Sequence, residues 1–346
     1  MLAQQVAALL PAMRGRAGRL DHDAAFPSDD IAALRAADAL SLKLPAEAPA
    51  PPLIEQLAAV LTLVGSGNLS VGRVLEAHLN ARHLIARYGT PTQRGQPDDA
   101  LFALWVNDPP EGGLRMHRTG ATIRLSGGKE FCSAAGYASH AVVTAQDQDG
   151  AAHMLVLRLG CGERVDPLPA PLSGMRAAVT GAVNFDGCET SADSLLGEAG
   201  NYLREPDFST GAWRGSAVAL GGLMALAEAG TAQLRQSGRL DAPHTQARLG
   251  RALIARETAR LWVGNVARAA EDTAAGSPSA RISIVGLGRI AIEQACLDAM
   301  QYIQRSVGLS SFRQGSAIER ICRDLQTYLR QPAPDEVLTE ATQWFA

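Results

Sequence analysis

Polar and apolar positions divide the chain into three stretches. Up to about residue 98, apolar residues recur at intervals of three and four, the period of a helix with one buried face. MLAQQVAALLPAMRGRAGRL opens apolar, but its basic residues follow the apolar run instead of preceding it, so it predicts a first helix and not a signal peptide. Ser28 stands before Asp29, Asp30 and the series Ile31, Leu34, Ala37, which supplies an N-cap, acids in the first turn and a buried stripe; this helix is expected to end near Leu42. PAEAPAPP (45–52) is a proline-rich connection. Two longer helices follow, the second from about Leu69 to Tyr88, with Gly89 as its C-cap and Thr90-Pro91 opening another short helix.

The period changes at Leu101. LFALWV, ATIRLSG, HAVVTAQ, AHMLVLRL and AAVTGAVNFDG are short, β-branched or alternating, and separated by Gly, Pro, Asp and Asn, as antiparallel strands require. From Gly211 the pattern returns to long Ala- and Leu-rich helices, roughly 211–236, 244–274, 279–307 and 316–330, with GSPS as the clearest turn between them. The fold class expected is α+β: a helical N-terminal domain (1–98), a central antiparallel β-barrel or sandwich (99–200) and a C-terminal four-helix bundle (201–346).

Composition narrows the function. A chain of 346 residues suits two or three packed units. Hydrophobic residues at 47% and charged residues at 19% are globular values, and no apolar run is read as reaching the roughly 20 residues of a membrane span. A net charge of -3 excludes a generalised nucleic-acid surface and points to a small-molecule partner. The five cysteines (Cys132, Cys161, Cys188, Cys296, Cys322) are odd in number, with no CxxC pair and no histidine at metal spacing, so free thiols in a cytoplasmic protein are expected. His78 and His83, flanking the third helix, are assigned to core or surface.

RLSGGKEFCSAAGYASHAVVTA (124–145) resembles the middle-domain segment of the FAD-dependent acyl-CoA dehydrogenase superfamily. The resemblance implies that Phe131 packs on the flavin ring and that the Ser133 hydroxyl reaches its N5 edge, a flat apolar wall and a donor where electrons arrive. GMRAAVTGAVNFDGCETSADSLLGEAGNYL (174–203) is similar to the family's Gly-Met-Arg segment, with Met175 and Arg176 shaping the substrate-side loop and Phe185 in the core. WVNDPPEGG (105–113) sits where the family has a Thr-Glu-Pro strand end and a Gly-Ser-Asp turn, which makes Trp105, Asn107, Gly112 and Gly113 cofactor-side residues through backbone N–H groups. Arg235 and Gln246 match the family's pair that meets the FAD pyrophosphate of a neighbouring subunit, hence an expected homodimer or homotetramer. VGLSSFRQGSAIERICRDLQTYL (307–329) resembles the last bundle helix, in which Glu319, Arg320, Arg323 and Asp324 pair structurally.

The family's reaction removes a proton beside a thioester carbonyl and passes a hydride to flavin N5, which needs a carboxylate base. Eight residues after Asp324, where many members carry that Glu, stands Pro332, which cannot abstract a proton. In the alternative position, on the first bundle helix, the nearest match is Trp213, with Glu205 and Asp207 too early. Asp335 and Glu336 remain as candidates if the prolines redirect the chain. Three readings stand: α,β-dehydrogenation of an acyl-CoA or other acyl thioester, with an electron-transfer partner or oxygen as acceptor; a flavin-dependent monooxygenase, which needs no such base; and a non-enzymatic relative on the same scaffold.

Overall fold

The structure, a computed structural model, describes residues 2–43, 49–97, 99–160, 162–272, 274, 276–330 and 334–343. Among these described residues five helices come first: α1 (Leu2–Asp23), α2 (Ser28–Ala36), α3 (Pro51–Gly67), α4 (Leu69–Tyr88) and α5 (Pro91–Arg94). α2 differs from expectation at both ends. Pro27, not Ser28, is its N-cap and gives no side-chain cap, and Ala37 closes it well before Leu42. Ile31 and Leu34 of its stripe are nonetheless buried, Ala37 only partly, and Asp30 takes a guanidinium bond from Arg16 of α1. Thr90 behaves as expected, forming a reciprocal capping box with Gln93 that starts α5. His78 and His83 both lie within α4, in place of flanking it.

Ten strands follow among the described residues: β1 (Phe102–Trp105), β2 (Arg115–Thr119), β3 (Thr122–Ser126), β4 (Gly128–Cys132), β5 (His140–Gln146), β6 (Ala152–Arg158), β7 (Arg164–Pro167), β8 (Gly181–Asn184), β9 (Glu189–Ser191) and β10 (Leu195–Leu196). They form two sheets, one ordered β10-β6-β5-β2-β3-β9 with β1 alongside β5, the other β4-β8-β7. Strand pairing is antiparallel with two exceptions: β1 runs parallel to β5 along its whole length, and β2 meets β5 in parallel at Arg115 and Gln146. A hairpin forces antiparallel pairing, but β1 and β5 are joined through three intervening strands, so nothing local sets their direction.

The remaining helices are α6 (Asp207–Thr210), α7 (Trp213–Gln236), α8 (Pro243–Glu271), α9 (Pro278–Val307), α10 (Ala317–Tyr328) and α11 (Pro334–Gln343). α7 to α10 match the four expected bundle segments closely, and Ser277 of the GSPS turn caps α9 by accepting from Ala280 N–H. The stretch Asp207–Gln236 is long and apolar enough to pass for a membrane span by composition, a correction to the hydropathy expectation. Its apolar residues are largely buried against α3, α8, α9 and α10, which is the other environment that selects such a sequence. α3 and α7 cross at backbone contact: a Cβ on Gly221 would collide with the Thr62 carbonyl, so only glycine lets them meet. Cys132, Cys188, Cys296 and Cys322 are buried and form no disulfide among the described residues; Cys161 lies outside them.

Candidate active site

β4 does not end as a regular strand. Its register with β8 shifts between Lys129 and Cys132, and Phe131 sits in the left-handed region at φ 55°. Alternation would have set Cys132 and Ser133 on opposite faces. Instead both are buried, and Phe131 is turned out with 47% of its surface exposed. Phe131 is therefore not core, whereas Phe185 is fully buried. Burial also pushes the Cys132 thiol up to about 12, well away from nucleophilic use.

Ser133 is held from three sides. Trp105, buried and tilted against Phe185, donates its indole N–H to the Ser133 carbonyl at 2.9 Å, so its contact is with the serine backbone. The next residue, Ala134, donates its N–H to the Ala178 carbonyl at 2.8 Å. That segment is anchored in turn by Met175, whose N–H donates to Asp324 Oδ1 at 2.6 Å, and by Arg176, which bonds the His22 carbonyl. Asp324 is deeply buried, and desolvation raises its carboxyl to about 6 despite the Met175 N–H and Arg320. Arg323 bridges Glu319 on its own helix and Asp21 of α1. The four charged residues of α10 thus do structural work, fixing the Gly-Met-Arg segment and through it the Ser133 backbone.

The third side is a set of residues that sequence reasoning missed. Arg73 Nε donates to Ser133 Oγ at 3.3 Å, and Arg73 Nη1 donates to Glu76 Oε2 at 2.5 Å. Glu76 Oε1 accepts from Asn80 Nδ2, and Asn80 Oδ1 accepts from Arg214 Nη1 at 3.1 Å. Arg214 ends in a buried ion pair with Glu271 at 2.6 Å, and the Trp213 indole N–H donates to the same carboxylate oxygen at 2.7 Å. One polar file therefore runs from the bundle to the serine hydroxyl. Desolvation opposes the charge on Arg73, but Glu76 together with the Tyr328 and Tyr202 phenols outweighs it and the guanidinium pKa is raised. Tyr202 and Tyr328 lie close enough to feel both charges, and burial pushes the Tyr202 phenol up to about 12. The signal in the sequence was positions 73, 76 and 80, polar residues at helical spacing on a helix whose other residues are mostly buried.

Asn107, Gly112 and Gly113 form a rim beside β4. Asn107 is exposed, and its carbonyl accepts from Glu130 N–H at 2.9 Å; Gly112 is exposed and left-handed at φ 74°, and its carbonyl accepts from Gly128 N–H. Gly113 bridges to Gly128. Lys129, almost wholly buried, fastens this turn by donating to Asp108 Oδ1 at 2.7 Å and to Thr144 Oγ1 at 2.8 Å. Arg235 and Gln246 are exposed at the corner where α7 ends and α8 begins. Asp335 and Glu336 are exposed in the first turn of α11, which leans on α9. Pro332 lies outside the described residues. Asp207, one of the early carboxylates near α7, is taken by the Tyr88 hydroxyl and by Arg87 at 2.5 Å, and Glu205 by Ser209.

These residues suit a flavin at its ring end. An exposed aromatic held out by a strained backbone offers a flat wall, and two positions on, a hydroxyl has its oxygen already supplied with one donor, leaving its proton for a ring nitrogen.

Helices around a β centre, closed by a helical bundle, make up the acyl-CoA dehydrogenase-like fold, and solved structures share it over nearly their whole length. TdsC from Paenibacillus sp. A11-2, solved with FMN and indole and described as a dibenzothiophene monooxygenase, superposes with a TM-score of 0.88 at 16% identity, over 99% of this chain and 96% of that one. KijD3 in complex with FMN and a dTDP-linked amino-keto sugar gives 0.82 at 21% identity, over 100% and 93%. A nitrososynthase from Micromonospora carbonacea var. africana gives 0.81 at 20% identity, over 99% and 94%. No family model and no curated protein matches the sequence.

Proposed function

We propose that this chain is a flavin-dependent oxidoreductase that works as a monooxygenase. The observation that carries the reading is the polar file ending on Ser133. A dehydrogenase acting on a thioester needs a carboxylate free to take a proton. Glu76, the carboxylate that Arg73 links to Ser133, has both oxygens engaged, one by a guanidinium and one by an amide. What faces the serine is a cation. A bound flavin would supply a two-electron carrier able to pass its electrons to oxygen, and a half-buried guanidinium beside its reacting edge would favour the negative charge that such a transfer develops. Phe131 would form the ring wall, Ser133 the donor to N5, and Asn107 with the Gly112-Gly113 turn the rim. The solved structures with FMN support FMN as the first cofactor to test; FAD, expected from the resemblance, is the second. Subunits are proposed to pair through the bundle, bringing Arg235 and Gln246 to a neighbour's cofactor.

The test is purification followed by an absorbance spectrum with FMN or FAD, then anaerobic titration with a panel of acyl-CoAs and reoxidation by air. Bound flavin that no thioester bleaches, but which reacts with oxygen after chemical reduction, is the expected result. Bleaching by a thioester would return the reading to acyl-CoA dehydrogenation, with the base still to be found. A protein that takes up neither flavin would leave the non-enzymatic scaffold.

A further inference from the structure

This inference rests on the flavin reading above. The Arg73 guanidinium commits Nε to Ser133 and Nη1 to Glu76, while Nη2 has no acceptor among the described residues. Its side chain is 30% exposed, against 9% for Glu76. The arginine thus stands between the buried Ser133 hydroxyl and its counter-charge, meeting the first through Nε and the second through Nη1. Glu76 is itself fixed by Asn80, and Asn80 by Arg214, whose charge is balanced by Glu271. Only one uncancelled asymmetry remains in the file: the cation stands one hydrogen bond from the serine hydroxyl, and the anion stands two away.

We propose that Arg73 and Glu76 form an electrostatic couple that sets the reduction potential of the bound flavin, Arg73 raising it and Glu76 restraining it, with Ser133 as the point of contact. Two-electron reduction with uptake of one proton leaves the ring system with one more negative charge than before. A guanidinium beside it stabilises that charge, and a carboxylate behind the guanidinium subtracts from the effect. The hydroxyl adds a directional element: because Ser133 Oγ accepts from Arg73, its own proton is aimed at whatever lies on the far side. Arg73 is a positioning residue for Ser133 as well as a source of field.

The experiment is the midpoint potential of the full-length protein loaded with FMN, or with FAD if that binds better, titrated with dithionite against a reference dye. Arg73→Met is expected to disfavour reduction by tenfold or more, about 30 mV downward for a two-electron couple. Glu76→Gln is expected to shift the equilibrium upward by a comparable factor, and Arg73→Lys, which keeps the charge, to stay within a few-fold of the unmodified protein. A structural role alone would not move Arg73→Met and Glu76→Gln in opposite directions. Flavin bound with both variants shifted the same way, or neither shifted, overturns the couple while leaving the flavin reading intact. Failure of the unmodified protein to take up any flavin overturns both. Should Arg73→Met not fold, Arg73→Lys and Glu76→Gln carry the test by the predicted difference between them.

Discussion

Single residues here derive their properties from burial more than from type. Phe131 lies exposed where core packing would hide it, so Phe131→Ala removes no core contact. Its melting temperature should stay within a few degrees of the parent, while flavin affinity, read by fluorescence titration, should fall about tenfold, the loss expected of one aromatic face. A melting temperature that collapses would show the ring to be structural. His78 is the opposite case. It is buried in α4, with Nε2 donating to the Leu40 carbonyl at 2.8 Å and Nδ1 accepting from Phe102 N–H at 3.0 Å, and desolvation lowers it to about 4. Between pH 4 and the ordinary value near 6.5 the folded state binds fewer protons at this site than the unfolded chain. Its contribution to stability is therefore complete above pH 6.5 and lost as pH falls toward 4, up to about 3 kcal/mol. Asp324, raised to about 6, runs the other way: between its ordinary 3.8 and 6 the folded state binds more protons, and stability falls as pH rises. Melting curves from pH 4 to 6.5 should rise less steeply in His78→Gln and more steeply in Asp324→Asn. Two profiles parallel to the parent would refute the assignment.

At the scale of elements, the site depends on joints between helices. α8 ends on Glu271, an acid at the unfavourable end of a helix dipole, and it is tolerated because Arg214 and Trp213 of α7 meet it and Arg281 of α9 donates to the last carbonyls, Ala269 and Ala270. Glu271→Leu would leave the Arg214 charge buried without its partner and should cost about 3–5 kcal/mol in denaturant unfolding. An unchanged midpoint would mean that water substitutes for the carboxylate. The α3–α7 crossing is equally unforgiving. Gly221→Val must drive apart two backbones that touch, and a loss of about 3 kcal/mol is expected from the same measurement.

For the whole molecule, the outer side of α8 carries Leu253, Ile254 and Leu261, exposed at 48%, 68% and 58%. A cluster of this kind on a bundle helix fits the proposed subunit contact. Replacing all three by Asp should convert an oligomer to a monomer in light scattering, and Arg235→Gln should weaken flavin uptake without changing the mass. A parent that is already monomeric at micromolar concentration would end the proposal.

Much of this was legible along the chain. Helical periodicity located all four bundle helices, the Thr90 cap and the turn before α9, because those features are local: a repeat, a capping residue, a proline at the first turn. The Glu319–Asp324 set was legible for the same reason. Other features were not. The parallel pairing of β1 with β5, the outward turn of Phe131 at a bulge and the collision that demands Gly221 all depend on what a distant segment does. Asp30 reads as a helix-start acid in sequence, yet it is buried against α1. The site shows the division most clearly. Sequence by itself determined the order of helices and strands, the aromatic and hydroxyl at 131 and 133, and the proline eight residues after Asp324. Only the tertiary structure brought α4 to the residue that follows β4, so that Arg73 could touch Ser133 from sixty residues away and a carboxylate could be present but engaged. Hydrogen bonds between segments depend on distance in space, and spacing along a chain records that distance only within one element.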